Sequence, residues 1–246
     1  VLVSTQTPLA ASAEYSITRS VTIPSTTPTG SRYLLFVADR DNYQRETSET
    51  NNTRAVAIQI SSADLTVSAT GPSSATVGEA LTISYTVTNS GNNPATADWF
   101  DRFYLSANTT LDAADTLLGS VNAASYSPLA AAGTYTASGT ATIPNDASLT
   151  GARFLLVVAD GSGNQAETNE TNNVAALPLT VGAPDLQVAS VSAPSQAVSG
   201  QAVTVSWTVN NVASFAALQD WTDRVYLSTD DVFQSGTDTL LGSLSI

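Results

Sequence analysis

The chain contains no cysteine, methionine, histidine or lysine among its 246 residues. Without cysteine there is neither a disulfide framework nor a thiolate metal site. Without histidine, cysteine and lysine, the commonest general base and the thiol and amine nucleophiles are missing, so no enzyme is expected. A glycosidase-like carboxylate pair remains chemically possible, but the acidic candidates recur from repeat to repeat, and catalytic sites rarely come once per module. Positive charge is scarce: 8 basic residues, all arginine, face 21 acidic ones for a net charge of −13. Such a field repels nucleic acid and anionic membranes and attracts divalent cations. No apolar run approaches the ~20 residues of a membrane helix, so membrane insertion is not expected. The opening residues Val1 to Ser4 lack the charged segment of a signal peptide.

What is present is Ser, Thr, Val and Ala in short runs broken by Gly, Pro and Asn, the pattern of many short strands. Length suits one large or two ordinary domains, and it buries enough core to fold without staples. The decisive feature is internal repetition. PLAASAEYSITRSVTIP (Pro8 to Pro24) recurs as PLAAAGTYTASGTATIP (Pro128 to Pro144), YLLFVAD at Tyr33 recurs as FLLVVAD at Phe154, and ETSETNN at Glu46 recurs as ETNETNN at Glu167. A second block repeats further on: ATVGEALTISYTVTN (Ala75 to Asn89) as AVSGQAVTVSWTVNN (Ala197 to Asn211), DWFDRFYLS (Asp98) as DWTDRVYLS (Asp220), and DTLLGS at Asp115 and Asp238. The reading is a C-terminal half-repeat over 1–62, a complete repeat over 63–182 and an N-terminal half-repeat over 183–246. Joining Ile246 to the Val1 of another copy would keep the repeats almost in phase. The chain is therefore expected to be about two periods of a longer array, each half completed by a neighbouring copy.

Within a repeat, Leu81, Ile83, Tyr85 and Val87 alternate with Thr82, Ser84, Thr86 and Thr88, a strand with one buried and one wet face. The apolar run Leu155 to Ala159 suits a strand covered on both sides. About seven strands in ~120 residues, with turn clusters between them, indicate an all-β fold of tandem immunoglobulin-like β-sandwich repeats. Tyr85 and Trp207 should fill the core between the sheets. The three tryptophans, Trp99, Trp207 and Trp221, fall on inward faces, which argues against a carbohydrate platform. A tyrosine corner is not expected, since Phe154 stands where Tyr33 does.

DWxDRxYLS, an Asp-rich stretch ending in DTLLGS, and VAD followed by ExxETNN together resemble the CARDB family, the cell-adhesion-related domain found in bacteria. The resemblance covers the chain as one full and two half copies. It implies an immunoglobulin-like fold in large, secreted, repetitive proteins of the bacterial cell surface, and it implies no catalysis.

Two kinds of acidic cluster are candidate calcium (Ca2+) sites, because calcium takes six to eight oxygen ligands and accepts irregular loops. The first is Asp39, Asp41, Asn42, Glu46 and Glu49, with its counterpart Asp160, Asn164, Glu167 and Glu170. The second is Asp98, Asp101, Asp112 and Asp115, with its counterpart Asp220, Asp223, Asp230 and Asp238; Gln234 replaces Asp112 in the later copy. The competing reading is that these side chains cap turns and stay solvated. Asp101 shares a face with Trp99 and Phe103, so it should be partly buried and need a partner: a backbone amide, another arginine or a cation. The expected function is a structural or adhesive segment of an extracellular repeat protein, forming a stalk, filament or sheath with neighbouring copies of the same repeat as partners. The rival is a carbohydrate- or protein-binding module appended to a secreted enzyme.

Overall fold

The computed structural model describes residues 8–24 and 27–246, so the first seven residues of the 1–62 segment lie outside the described residues. The chain divides into two compact units, Val1–Ile60 and Ser61–Ile246.

The first unit contains an antiparallel hairpin of β1 (Gly30–Val37) and β2 (Thr53–Ile60), with Gly30 opposite Ile60 and Val37 opposite Thr53. Residues 8–24 form no strand. Two strands alone leave both faces in water: Leu35 and Val37 on one side are 64% and 48% exposed, and Phe36 on the other 59%.

The second unit begins with eight strands in two sheets. These strands are β3 (Leu65–Thr70), β4 (Ser74–Thr76), β5 (Ala80–Asn89), β6 (Phe100–Ser106), β7 (Thr116–Asn122), β8 (Thr134–Thr142), β9 (Gly151–Val158) and β10 (Val174–Gly182). One sheet has the order β3-β5-β8 and the other β4-β10-β9-β6-β7. The chain changes sheets between β3 and β4, and β4 pairs β10 in parallel, which gives the topology of an immunoglobulin-like sandwich. The alternation in β5 is realised, with Leu81, Ile83, Tyr85 and Val87 all buried. The run from Leu155 to Ala159 is buried throughout, and β9 lies between β10 and β6 as an interior strand of its sheet. Trp99, Tyr85 and Phe103 are the largest fully buried side chains, and Tyr85 meets Phe103 edge-on at 5.7 Å.

Gly119 on β7 lies against the backbone of β8 in the facing sheet. A Cβ there would lie 2.2 Å from the Thr140 carbonyl oxygen, so only glycine fits.

The rest of the second unit comprises β11 (Leu186–Ser192) paired with β12 (Ser206–Asn211), and β13 (Thr222–Leu227) paired with β14 (Thr239–Ser245). These are the counterparts of β3, β5, β6 and β7. Local structure is reproduced: Asn211 Nδ2 donates to the Phe215 carbonyl at 2.7 Å, as Asn89 Nδ2 does to Asn93 at 2.8 Å. Each of these two pairs forms its own two-stranded sheet. Val188, Val191, Leu227 and Leu244 are consequently 50–63% exposed.

Candidate functional site

The most unusual chemistry lies inside the complete sandwich, where β6 turns Asp101 inward beside Trp99 and Phe103. Asp101 is fully buried. Its Oδ2 accepts hydrogen bonds from the Tyr85 hydroxyl at 2.9 Å and the Tyr135 hydroxyl at 2.5 Å, and its Oδ1 from the Asp160 amide at 3.3 Å. Trp99 Nε1 donates to the Tyr135 hydroxyl at 3.2 Å, and Tyr135 stacks on Tyr126 with ring centroids 4.1 Å apart. Burial pushes the Asp101 carboxyl above its usual range, while the hydroxyls hold it down. Burial and the nearby carboxylate raise both tyrosines. Both carboxylate oxygens of Asp101 accept from protein donors, so the knot organises the core.

Asp101 thus lies in the core, apart from the surface turn that carries Asp112 and Asp115. Of the partners foreseen for it, the backbone amide is present, supplied by Asp160. The tyrosine donors were missed, although the signal was there: Tyr15 and Tyr135 occupy the same position of the repeated PLAA block. Asp112 and Asp115 instead build a turn at the surface between β6 and β7, with the Asp112 amide donating to Asp115 and the Ala114 amide to Asp112. In the later copy the Gln234 amide donates to Asp238 at 2.7 Å, so the turn forms without a carboxylate at that position. Asp230 caps a preceding turn through the Val232 amide. The Asp98 and Asp220 side chains are exposed. Asp223 is half-buried and accepts from Trp207 Nε1 at 2.7 Å and Trp221 Nε1 at 3.1 Å.

The other acidic cluster follows β9. Asp160 takes a positive φ of 46° and accepts the amides of Asn164 and Gln165 at 3.0 and 2.7 Å. Asp39, φ 38°, accepts those of Tyr43 and Gln44 at 2.9 and 2.7 Å in the same way. Asp is among the few non-glycine residues that tolerate this region, because its side chain closes the turn. Glu49 accepts from the Glu46 amide, as Glu170 does from the Glu167 amide. Asp41 pairs with Arg40 at the surface, and Asn164 Nδ2 reaches the Asp98 carbonyl. The turn reading thus accounts for these contacts. Among the described residues, no group of three or more acidic side chains is placed to hold a metal ion.

Glu167 is the exception. Its Oε2 accepts the Leu65 amide at 2.7 Å, fastening the start of the module, while its buried Oε1 has no partner. Burial, with Glu170, Asp160 and Asp64 nearby, pushes its carboxyl up to about 8. A raised carboxyl favours the protonated fold, so its contribution is full below pH ~4.5 and is lost as pH rises toward 8. Glu167→Gln keeps the acceptor and removes the charge. It should therefore raise the melting temperature at pH 8 to 9 and leave it nearly unchanged at pH 4, as calorimetry across that range will show.

Residues 62–177 match the CARDB family. The chain is similar to the CARDB domain of a Pyrococcus furiosus protein whose crystal structure is in complex with di-metal ions. Identity is 21%, covering 50% of this chain and 96% of that one with a TM-score of 0.36. A solution NMR structure of that domain gives 21% identity, 50% and 98% coverage and a TM-score of 0.37. A β-glucosidase from Listeria innocua in complex with glucose is similar at 16% identity, over 58% of this chain but 20% of that one, with a TM-score of 0.32. No curated protein matches. Among the described residues, no helix is long and apolar enough to cross a membrane.

Proposed function

We propose that this chain is a non-catalytic, stiff segment of an extracellular bacterial repeat protein, in which sandwich modules stacked end to end form an adhesive or structural stalk. The flanking segments 1–62 and 183–246 are read as halves of the same kind of module as 63–182. The observation that carries this reading is the joint after β10. The Phe215 ring covers the backbone of Gly182, where a Cβ would lie 2.0 Å from the ring, and Gln219 approaches Gly78 from the same loop. Asn93 stands where Phe215 does one repeat earlier, and its Nδ2 donates to the Ser61 hydroxyl at 2.6 Å. Ser61 in turn stands where Gly182 does. The Phe215 ring against Gly182 fills the space between 63–182 and the segment that follows, which limits bending more than a short linker alone.

Residual dipolar couplings on the full chain test this. One alignment tensor should fit the strands of 63–182 and of 183–246 together, and Gly182→Val should split it in two by displacing Phe215. Two independent tensors in the unsubstituted protein would refute a stiff joint. A sugar-binding rival is disfavoured by the exposed aromatics, because Phe36 occupies the position of buried Val157. Calcium belongs to the same proposal in a restricted form. Since backbone amides hold most candidate oxygens, the place left for it is the Glu167 cluster, and there calcium would raise the melting temperature at pH 8 but not in Glu167→Gln.

A further inference from the structure

We infer that Asn169, and after it Asn108, are acceptors for an asparagine-linked sugar that a transferase delivers from a sugar diphosphate. This goes beyond the stalk reading and does not rest on it.

Asn-x-Thr, the tripeptide such transfer requires, occurs as Asn51-Asn52-Thr53, Asn108-Thr109-Thr110 and Asn169-Glu170-Thr171, none with proline in the middle. Geometry separates the three. At Asn169, Oδ1 accepts both the Thr171 amide at 3.0 Å and the Thr171 hydroxyl at 2.7 Å. At Asn108, Oδ1 accepts the Thr110 amide alone, at 2.7 Å. Asn51 lies two residues before Thr53, the first residue of β2, and among the described residues no such turn joins that pair.

These donors bear on the chemistry. An amide nitrogen is a poor nucleophile because its lone pair is shared with the carbonyl. As Nδ2 loses a proton and attacks, negative charge collects on Oδ1. There the N–H and O–H of Thr171 already point, as donors do in an oxyanion hole. Nδ2 attacks C1 of the sugar, and the N–C1 bond forms as the C1–O bond to the diphosphate breaks. The diphosphate departs with that electron pair, and the amide proton passes to a base of the transferase. Asn108 and Asn169 are exposed, and among the described residues neither Nδ2 donates to another group, so both nitrogens are open to a donor.

Turn formation alone does not account for these residues. One repeat later, Asp230 caps the Val232 amide at 2.9 Å as Asn108 caps that of Thr110. One repeat earlier, Ser48 and Thr50 hold the places of Asn169 and Thr171, joined hydroxyl to hydroxyl. Both turns therefore form without asparagine, and its amide nitrogen is the group they do not need.

The surroundings have room for a sugar. Thr109 and Thr110 from one loop, with Glu170 and Thr171 from the other, line one cavity of about 440 Å³ whose wall includes the buried Asp160 and Asn173. Carboxylate and amide groups of that kind bind the hydroxyls of a first sugar. A glycan on Asn169 overhangs the loop of Asn108, which makes Asn108 the second acceptor.

Peptide mass spectrometry of the full chain isolated from its native source tests the inference. Asn169 should carry a hexose or N-acetylhexosamine increment that survives mild alkali, which strips sugars from serine and threonine. Its occupancy should exceed that of Asn51 about tenfold, the worth of one hydrogen bond. A series rising by single hexoses marks a nucleoside-diphosphate donor, and one fixed oligosaccharide marks a lipid-diphosphate donor. Asn169→Gln should abolish the increment with circular dichroism unchanged, because that side chain is exposed. Thr171→Val should abolish it as well, whereas Thr171→Ser should keep it. An unmodified Asn169, sugar on Asn51 in preference to Asn169, or modification retained in Thr171→Val would each overturn the inference.

Discussion

Trp99→Ala should destabilise the complete module by about 4 kcal/mol, whereas Trp221→Ala, the same substitution one repeat later, should cost well under half of that. The two residues occupy equivalent places in DWFDR and DWTDR, but Trp99 is 0% exposed, with its indole held by Tyr135, and Trp221 is only partly covered. Truncating a fully enclosed ring removes its transfer free energy and leaves a cavity, while truncating a half-covered one removes part of the first and none of the second. Denaturant unfolding of the full chain, followed by circular dichroism, reads both variants. Equal losses would mean that the two tryptophans have equally complete surroundings.

Asp101→Ala should lower stability by about 3 kcal/mol, roughly 10 °C for a module of this size. The loss is not that of a salt bridge, since no arginine faces this carboxylate. It comes from leaving the hydroxyls of Tyr85 and Tyr135 without an acceptor inside the sandwich, at about 1–3 kcal/mol each. Asp101→Asn retains one acceptor oxygen and should be the milder change, about 1 kcal/mol. Tyr135→Phe separates the contributions: it removes one donor, frees Trp99 Nε1, and should be less than additive with Asp101→Ala because the three groups form one network. Additive losses in that cycle would show that the groups act independently. The raised tyrosines add a pH signature. A hydroxyl whose folded pKa lies above the ordinary value near 10 stabilises the fold below that pH and ceases to do so as pH climbs past it. Thermal stability should therefore fall above pH ~10, less steeply in Tyr135→Phe.

Strands were legible where burial follows a simple pattern: period-two alternation in β5, with one wet and one dry face, and an unbroken buried run in β9. Repetition showed which stretches are equivalent. It could not show which side chains meet across the sandwich, because Asp101 and Tyr135 lie 34 residues apart and on different sheets. Loop carboxylates were ambiguous for a physical reason: the residues that ligate calcium are also those that accept backbone amides in tight turns. Only coordinates reveal that Asp160 and Asp39 turn both oxygens toward their own loops. Glu167 was grouped with the other candidate calcium ligands, and its task of fastening Leu65 was not legible because that contact spans 102 residues. Gly119 was visible inside DTLLGS but silent, since a glycine states that space is short without naming what fills it.

Hydrogen exchange on the dilute full chain, resolved by strand, addresses the proposed organisation most directly, namely a closed sandwich over 63–182 flanked in this chain by two-stranded sheets. At submicromolar concentration, slow exchange should be confined to the interior strands β5, β6 and β9, while β1, β12 and β13 exchange through local opening that a two-stranded ribbon cannot suppress. Equal and strong protection of all six strands under those conditions would contradict the account.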